Sequence, residues 1–150
     1  MRVHELEGAA GSAKTAKTIV VALGKGEEAV AVLAELVRAR RLGAGRVTAV
    51  GGFSRATLGY FDRERRTYLP IPVTDQVEVL SLVGDIADDE HGAPTVHLHA
   101  VVGARDGSVR GGHLLEGHVW PTLEVVIDAS PEHLRKRLDP AVGLALLSPT

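Results

Sequence analysis

The turn Arg105-Asp106-Gly107 constrains the fold of this chain most strongly, because strand-forming residues flank it on both sides. A three-residue loop with Gly107 in the left-handed conformation is a common hairpin connection, since glycine has no Cβ to clash there. Such a loop pairs Ala104 with Ser108. The same register places His99 opposite His113, so the pattern predicts which residues face each other as well as the two strands.

Two other registers remain open from the sequence. A two-residue loop at Asp106-Gly107 pairs His99 with Leu114 instead, and this one-residue slip turns His113 to the other face of the sheet. A β-bulge at Gly111-Gly112 would also change the count. Any site that depends on His113 therefore depends on the register of this hairpin.

The histidines of the hairpin form a candidate metal site. Four of the seven histidines fall within the 22 residues from 97 to 118. His97 and His99 are alternate residues and share a strand face, and in the first register His113 faces them, with His97 opposite Leu115. Directly opposed Cβ atoms lie about 4.5–5.5 Å apart, so three imidazoles can converge on zinc at about 2.0–2.1 Å. Three protein ligands leave a fourth position open, as in catalytic zinc sites.

The fourth histidine of this segment, His118, is predicted to lie outside the site. Its position along the strand has the opposite parity to that of His113, so it is expected to face the other side of the sheet. We expect it to make a surface or subunit contact.

Composition and charge narrow the function classes. The 150 residues are predicted to form one domain, residues 1–150, which is long enough to bury a core. The absence of cysteine excludes a disulfide framework and a cysteine-based zinc finger, and the net charge of −2 gives no basic field for nucleic acid. The chain shows no signal peptide and no apolar run that would span a membrane, so a cytoplasmic location is expected.

The residue pattern predicts an α+β fold with a curved, mainly antiparallel β-sheet. One main helix is expected over about residues 27–41, with apolar residues at helical spacing. A loose end is predicted from Glu7 to Ala13, and a short helix or turn from Pro131 to Leu138. Strands are predicted over residues 18–23, 46–53, 55–62, 67–73, 76–86, 122–127 and 143–147, in addition to the hairpin from Thr95 to about Trp120.

Two further charged residues are candidates for catalysis. Glu78 lies in a predicted strand among apolar residues, where a carboxylate is costly unless it is paired or bound. It either pairs with an arginine such as Arg55 or serves as an acid or base beside the metal. Arg55 follows a glycine-rich strand and either binds an anionic substrate or forms an interface salt bridge.

Taken together, the motifs resemble those of the plants-and-prokaryotes-conserved (PPC) domain over nearly the whole chain, which places the core of the domain at about residues 18–147. Each motif is weak alone, but their order and spacing are specific. The motifs are Gly24-Lys25-Gly26-Glu27-Glu28, Ala49-Val50-Gly51-Gly52-Phe53, Leu58-Gly59-Tyr60-Phe61-Asp62, Glu78-Val79-Leu80-Ser81-Leu82-Val83-Gly84-Asp85-Ile86, His97-Leu98-His99-Ala100, Gly111-Gly112-His113-Leu114 and Thr122-Leu123-Glu124-Val125-Val126-Ile127.

The resemblance implies a homotrimer of curved antiparallel sheets, of the type that stands alone in prokaryotes. Its fold is also similar to that of acetolactate decarboxylase, whose zinc-binding pattern maps onto His97, His99 and His113. If the chain is an enzyme, we expect zinc-assisted polarisation of a small carbonyl or carboxylate compound, or hydrolysis by zinc-bound water. Glu78 and Arg55, singled out above from the residues themselves, are the candidate catalytic residues. The alternative is a non-enzymatic regulatory or DNA-associated module. The chain lacks the Arg-Gly-Arg-Pro core of an AT-hook, which argues against direct DNA binding by this chain alone.

Overall fold

A computed structural model of the chain describes residues 1–6 and 16–148. The predicted loose end from Glu7 to Ala13 lies outside the described residues. The described elements are β1 (Arg2–Leu6), β2 (Lys17–Gly24), α1 (Ala29–Ala39), β3 (Ala44–Asp62), β4 (Thr67–Val73), β5 (Val77–Asp88), β6 (Pro94–Gly103), β7 (Val109–Ala129), β8 (Lys136–Asp139) and β9 (Leu144–Leu147).

The first seven strands form one antiparallel sheet in the order β1-β2-β7-β6-β5-β3-β4. An additional pairing joins β7 to β3. Since β5 and β7 each pair with both β3 and β6, the sheet curves until these four strands enclose a common interior. The predicted α+β class with a curved, mainly antiparallel sheet is confirmed.

Long bent strands replace several shorter predicted ones. Residues 46–53 and 55–62 belong to the single 19-residue strand β3, and the second arm of the hairpin continues through residues 122–127 as the 21-residue strand β7. Register shifts allow these strands to bend without ending. One bend depends on Gly51, whose φ is +151° and where a Cβ would lie 2.3 Å from the carbonyl oxygen of Thr122.

Helix α1 is shorter than the predicted 27–41. Glu28 is its N-cap, and its carboxylate accepts hydrogen bonds from the backbone N–H groups of Val30 (3.1 Å) and Ala31 (2.7 Å). This carboxylate satisfies two of the N–H groups that a helix start leaves without partners. At the other end, Arg41 has φ +51° and leaves the helical conformation. Among the described residues, no helix is long and apolar enough to cross a membrane.

The core is aliphatic and lies between α1 and one face of the sheet. Leu33 and Val37 of the helix are fully buried against it, and Phe53 is its largest buried side chain. Alternate residues along the strands are buried, so the opposite face of the sheet is exposed. The histidines belong to that second, exposed face, because their neighbours Leu98 and Ala100 are the buried residues of β6.

The C-terminal segment differs from the helix or turn predicted for residues 131–138. The chain bends at Pro131 and Glu132 and then enters β8, which pairs with β9 as a separate two-stranded sheet. A helix does not form because the backbone groups of Leu134 bond elsewhere. Its N–H donates to the carbonyl of Gly43 (3.0 Å), and its carbonyl accepts from the N–H of Asp88 (2.8 Å).

Candidate metal centre

The structure confirms the three-residue register of the hairpin. The N–H of Ala104 donates to the carbonyl of Ser108 (2.8 Å), and that of Gly107 donates to Ala104 (2.9 Å). Gly107 has φ +81°, in the left-handed region. His99 and His113 are direct partners across β6 and β7. The slipped register, with His99 opposite Leu114, does not occur.

The β6–β7 pairing ends at this histidine pair and does not continue to His97 and Leu115. Directly after His113, strand β7 continues its pairing with β3, with Leu114 opposite Leu58 and Glu116 opposite Thr57. On its other edge, β6 pairs with β5, and this pairing places Asp85 opposite His97. The histidine cluster therefore lies where three strands meet.

His97, His99 and His113 each offer one ring nitrogen, and these three atoms lie within 4.8 Å of one another. Over the described ranges, 1–6 and 16–148, they form the one group of three histidine or acidic side chains that meets this geometry. The Nε2 atoms of His97 and His99 are 3.1 Å apart. Two tetrahedral zinc ligands at about 2.05 Å would be about 3.3 Å apart, so the spacing suits a metal ion.

Asp85 orients the ring of His97. The Nδ1–H of His97 donates to Oδ2 of Asp85 (3.0 Å), because a carboxylate can only accept, and this leaves Nε2 of His97 with its lone pair. The other oxygen, Oδ1, is 2.5 Å from Nζ of Lys136. Burial alone would raise the pKa of Asp85, but the hydrogen bonds and charges of His97 and Lys136 outweigh it and lower that pKa. A carboxylate behind a ligating imidazole is the usual support of a metal-binding histidine.

His113 is held as a neutral imidazole. Its ring stacks between those of Tyr68 (centroids 4.5 Å apart) and His97 (5.0 Å). Its Nδ1 is buried without a hydrogen-bond partner. Burial, and then the nearby positive charges of His97, His99 and Lys136, lower the pKa of His113 from 6.5 to about 4. Only neutral imidazole binds a metal, so the structure favours the binding form at neutral pH.

The pKa of His99 is lowered as well. Burial is the largest cause, the charge of His97 adds to it, and the carboxylate of Asp85 opposes both. The chemistry and spacing of the three donors therefore fit a metal ion.

His118 lies outside the cluster, as predicted, but the parity argument for it is wrong. A bulge at Leu115 shifts the burial pattern, so Leu114 is buried before it and Gly117 after it. His118 and His113 consequently share the exposed phase of β7. Distance separates them, since their partners on β3, Arg55 and Gly59, are four residues apart, or about 13 Å at the usual rise per residue.

Within this chain, neither Arg55 nor Glu78 is brought to the cluster of His97, His99 and His113. Nη2 of Arg55 is 2.9 Å from Nε2 of His118, and a Glu116 oxygen contacts the same nitrogen. Arg55 thus contacts His118, and the pairing with Glu78 considered from the sequence is not observed. Glu78 lies in β5 opposite Gly103.

Glu78 also lines an open cleft of about 1030 Å³ beside the Arg105–Gly107 turn. Val83, the residue opposite His99, is five residues away from Glu78 along β5, or about 16 Å. Arg105 and Arg110 line the same cleft. Glu78 therefore shares its surroundings with Arg105 of the turn and Arg110 of β7, and not with the histidine cluster.

The sequence reasoning missed three residues that support the cluster, namely Asp85, Lys136 and Tyr68. For Asp85, the sequence of the turn that follows β5 could have predicted the contact with His97. The Asp89 carboxylate accepts from the N–H groups of His91 and Ala93, and the resulting register pairs Asp85 with His97. Lys136 and Tyr68 reach the site from β8 and β4, and no local sequence pattern predicts either contact.

Comparisons with known proteins bear on this arrangement. The model of the Plants and Prokaryotes Conserved (PCC) domain, the domain that the motifs resemble, matches residues 10–131. The chain belongs to the PCC domain family. No curated protein matches this chain.

Solved structures of similar proteins cover most of the PCC-family chain. A metal-containing protein from Archaeoglobus fulgidus is 28% identical, with a TM-score of 0.79, covering 88% of this chain and 93% of that one. A plant- and prokaryote-conserved protein from Pyrococcus horikoshii is 26% identical, with a TM-score of 0.82 and coverage of 93% and 97%. A protein from Ralstonia eutropha, described as a candidate DNA-binding protein, is 25% identical, with a TM-score of 0.83 and coverage of 97% and 96%.

The resemblance to acetolactate decarboxylase is confirmed for the fold alone. A Staphylococcus aureus protein of unknown function, described as similar to that enzyme, has a TM-score of 0.51 at 16% identity. The match covers 73% of this chain and 51% of the other. It shows that the curved sheet is shared.

Proposed function

We propose that this PCC-family protein is a cytoplasmic homotrimer that binds zinc through His97, His99 and His113. We further propose that the zinc serves chemistry on a small carbonyl or carboxylate compound. The observation that carries the proposal is the convergence of three imidazole nitrogens within 4.8 Å. The metal-containing relative from Archaeoglobus fulgidus supports it.

The side chains around the cluster favour a cation that keeps one open position. His97 has its Nε2 left available by Asp85, and His113 is neutral because its pKa lies at about 4. Among the described residues, no carboxylate joins the three donors, and this is the donor set of a three-histidine zinc site. When bound there, zinc would supply a Lewis acid that polarises a carbonyl or carboxylate oxygen.

The exposed face of the sheet supports self-association close to the cluster. Val50, Leu80 and Val83 are each more than half exposed, and Val101 and Val126 are exposed beside them. A contiguous apolar surface of this kind usually marks a protein interface. Val83 is the direct partner of His99, so a subunit that covers this face also reaches the histidines. Glu78 and Arg55 enter the proposal as residues of a neighbouring subunit, since within one chain neither residue reaches the cluster of His97, His99 and His113.

Elemental analysis of the purified protein, never exposed to chelator, tests the proposal. We expect about one zinc per chain, a strong anomalous signal at the zinc edge and a trimer mass by light scattering. A protein without stoichiometric transition metal would contradict the zinc site. A monomeric mass would contradict the assembly and, with it, any role for Glu78 and Arg55.

A regulatory or DNA-associated module is the second candidate function, and the relative from Ralstonia eutropha favours it. Binding of that kind is driven by counterion release and weakens steeply with salt. An electrophoretic shift titration at low salt separates the two proposals. Salt-dependent retardation of duplex DNA by the metal-free protein would favour the DNA-associated module, and its absence would favour the zinc protein.

A further inference from the structure

The C-terminal hairpin, formed by β8 and β9 over residues 136–147, lies beyond the residues matched by the family model, yet it reaches the candidate metal centre. Nζ of Lys136 is 2.5 Å from Oδ1 of Asp85. The other oxygen of that carboxylate accepts from Nδ1 of His97 at 3.0 Å. The side chain of Lys136 is only 11% exposed, which is rare for lysine unless the charge is paired.

The hairpin is anchored to the sheet by contacts that do not involve Lys136. The backbone of Leu134 bonds to Gly43 and to Asp88. His133 donates from Nδ1 to the buried carboxylate of Asp88 at 2.7 Å. The segment that leads into the hairpin therefore has attachments to the sheet that are independent of the Lys136–Asp85 contact.

We propose that Lys136 is a positioning residue of the metal centre and acts through Asp85 on His97. This inference rests on the proposed function. Lys136 forms an ion pair with Oδ1 and His97 donates a hydrogen bond to Oδ2 of the same carboxylate, so the two contacts together restrict its rotation. The plane of the carboxylate in turn fixes the ring of His97, and the ring fixes the direction of its Nε2 towards the other two histidines.

Lys136 influences metal binding by orienting Asp85, and its own charge contributes less. The ammonium group lies against the carboxylate, so the pair presents little net charge to a metal ion beyond His97. Without Lys136, Oδ1 of Asp85 loses its partner in a half-buried place, and the carboxylate rotates to find water. Losing such support behind a ligating histidine typically weakens metal binding 10- to 100-fold.

Zinc affinity, measured by competition with a chromophoric chelator on the full chain, tests the inference. We expect Lys136→Met to weaken zinc binding about 10-fold. The matched control is Arg137→Met, which removes an exposed cation next to it and should stay within about twofold of wild type. The double variant Asp85→Asn/Lys136→Met keeps the net charge of the pair, and we expect it to bind zinc as weakly as Asp85→Asn alone.

NMR of the ring nitrogens of His97 reports which tautomer the ring adopts, and this readout does not depend on the stability of the hairpin. In the metal-free wild type, the proton should reside on Nδ1, whereas in Lys136→Met the two tautomers should mix. Hydrogen exchange of the β8 and β9 amides reports whether the hairpin stays docked. If it does not, Lys136→Arg decides: retained affinity supports positioning, and loss equal to that of Lys136→Met overturns it.

The inference and the proposed function fail in different ways. If neither wild type nor Arg137→Met binds zinc, the proposed function is wrong. If wild type binds zinc and Lys136→Met binds it equally or more tightly with a docked hairpin, Lys136 has no positioning role. Additive effects of Asp85→Asn and Lys136→Met would likewise show that Lys136 does not act through Asp85.

Discussion

The polar residues at the two ends of the β5–β6 pair have very different surroundings. At one end, Asp85 faces His97, and the donors of three histidines converge within 4.8 Å. At the other end, Glu78 faces Gly103 beside an open cleft. The sequence predicted a functional residue at both ends, His97 at one and Glu78 at the other, because each is a titratable group in an apolar strand.

The difference teaches that convergence, and not the presence of a titratable side chain, makes a candidate site. Around the histidine cluster, neighbouring groups set the orientation and charge of the rings. Asp85 orients the ring of His97, Tyr68 stacks on the ring of His113, and burial keeps His113 neutral. Glu78 is exposed to solvent, and its neighbours belong to the turn. Substitutions at the two ends should therefore have unequal effects.

The largest expected effect is the loss of a histidine from the cluster. His99→Ala should weaken zinc binding more than about 100-fold, because one of the three ligands is removed. Losing a residue that binds the metal directly costs more affinity than losing one that only supports a ligand. His99 is exposed, so the core is undisturbed. The control is His118→Ala, on β7 but outside the cluster, which should bind zinc as wild type does. Equal losses in both variants, measured by elemental analysis and chelator competition, would contradict the assignment.

The two carboxylates of β5 sharpen the comparison directly. Asp85→Asn should weaken zinc binding about 10- to 100-fold, because the amide no longer holds the proton of His97 on Nδ1 by a charged hydrogen bond. Glu78→Gln should leave zinc affinity within about twofold. The same chelator competition measures both variants. A larger loss in Glu78→Gln than in Asp85→Asn would mean that the wrong end of the strand had been assigned to the metal.

The lowered pKa of His113 predicts a pH dependence of stability in the metal-free protein. Between pH 6.5 and about 4, the unfolded chain binds a proton at His113 that the folded chain does not, so the free energy of unfolding falls as pH drops. We expect a loss of about 1–2 kcal/mol, less than the full shift implies because the ring is partly exposed.

Urea unfolding at pH 7 and at pH 4.5 measures this dependence, with His113→Asn as the reference that lacks the titrating ring. Carboxylates contribute equally to both proteins and cancel in the difference. Parallel pH profiles for wild type and His113→Asn would contradict the buried neutral state of His113.

The smallest expected effect concerns the turn that sets the register. Gly107→Ala should cost about 1 kcal/mol of unfolding free energy, because φ is +81° there and alanine resists the left-handed region. Gly107→Asn should cost less, since asparagine tolerates that conformation. Both variants should bind zinc within about twofold of wild type, because the strand pairs hold the register once it has formed. A large loss of zinc with little loss of stability would mean that the turn alone maintains the histidine pair.

Local sequence signals predicted much of the fold and the centre of the candidate site. Interpreted as a three-residue loop, the turn at Arg105–Gly107 predicted the pairing of His99 with His113, which the structure confirms, and the alternation of residues placed His97 on the same face as His99. The same local reasoning failed where one strand continued through a bend, as in β3, because a bulge leaves strand-forming residues on both sides of an apparent break. It also failed for His118, whose parity a bulge at Leu115 reversed.

The sequence by itself determined the pairs that a short turn enforces, because a loop of three residues leaves the flanking strands little freedom. It thereby indicated the three candidate ligands, and the structure selected the three-residue loop from the registers that the sequence left open. Only the tertiary structure decided what surrounds them. Asp85, Tyr68 and Lys136 come from three other strands, and their contacts with the histidines depend on how the sheet closes and where the C-terminal hairpin docks. That closure comes from burial of the aliphatic core, a non-directional force spread over many residues, and no short motif encodes it.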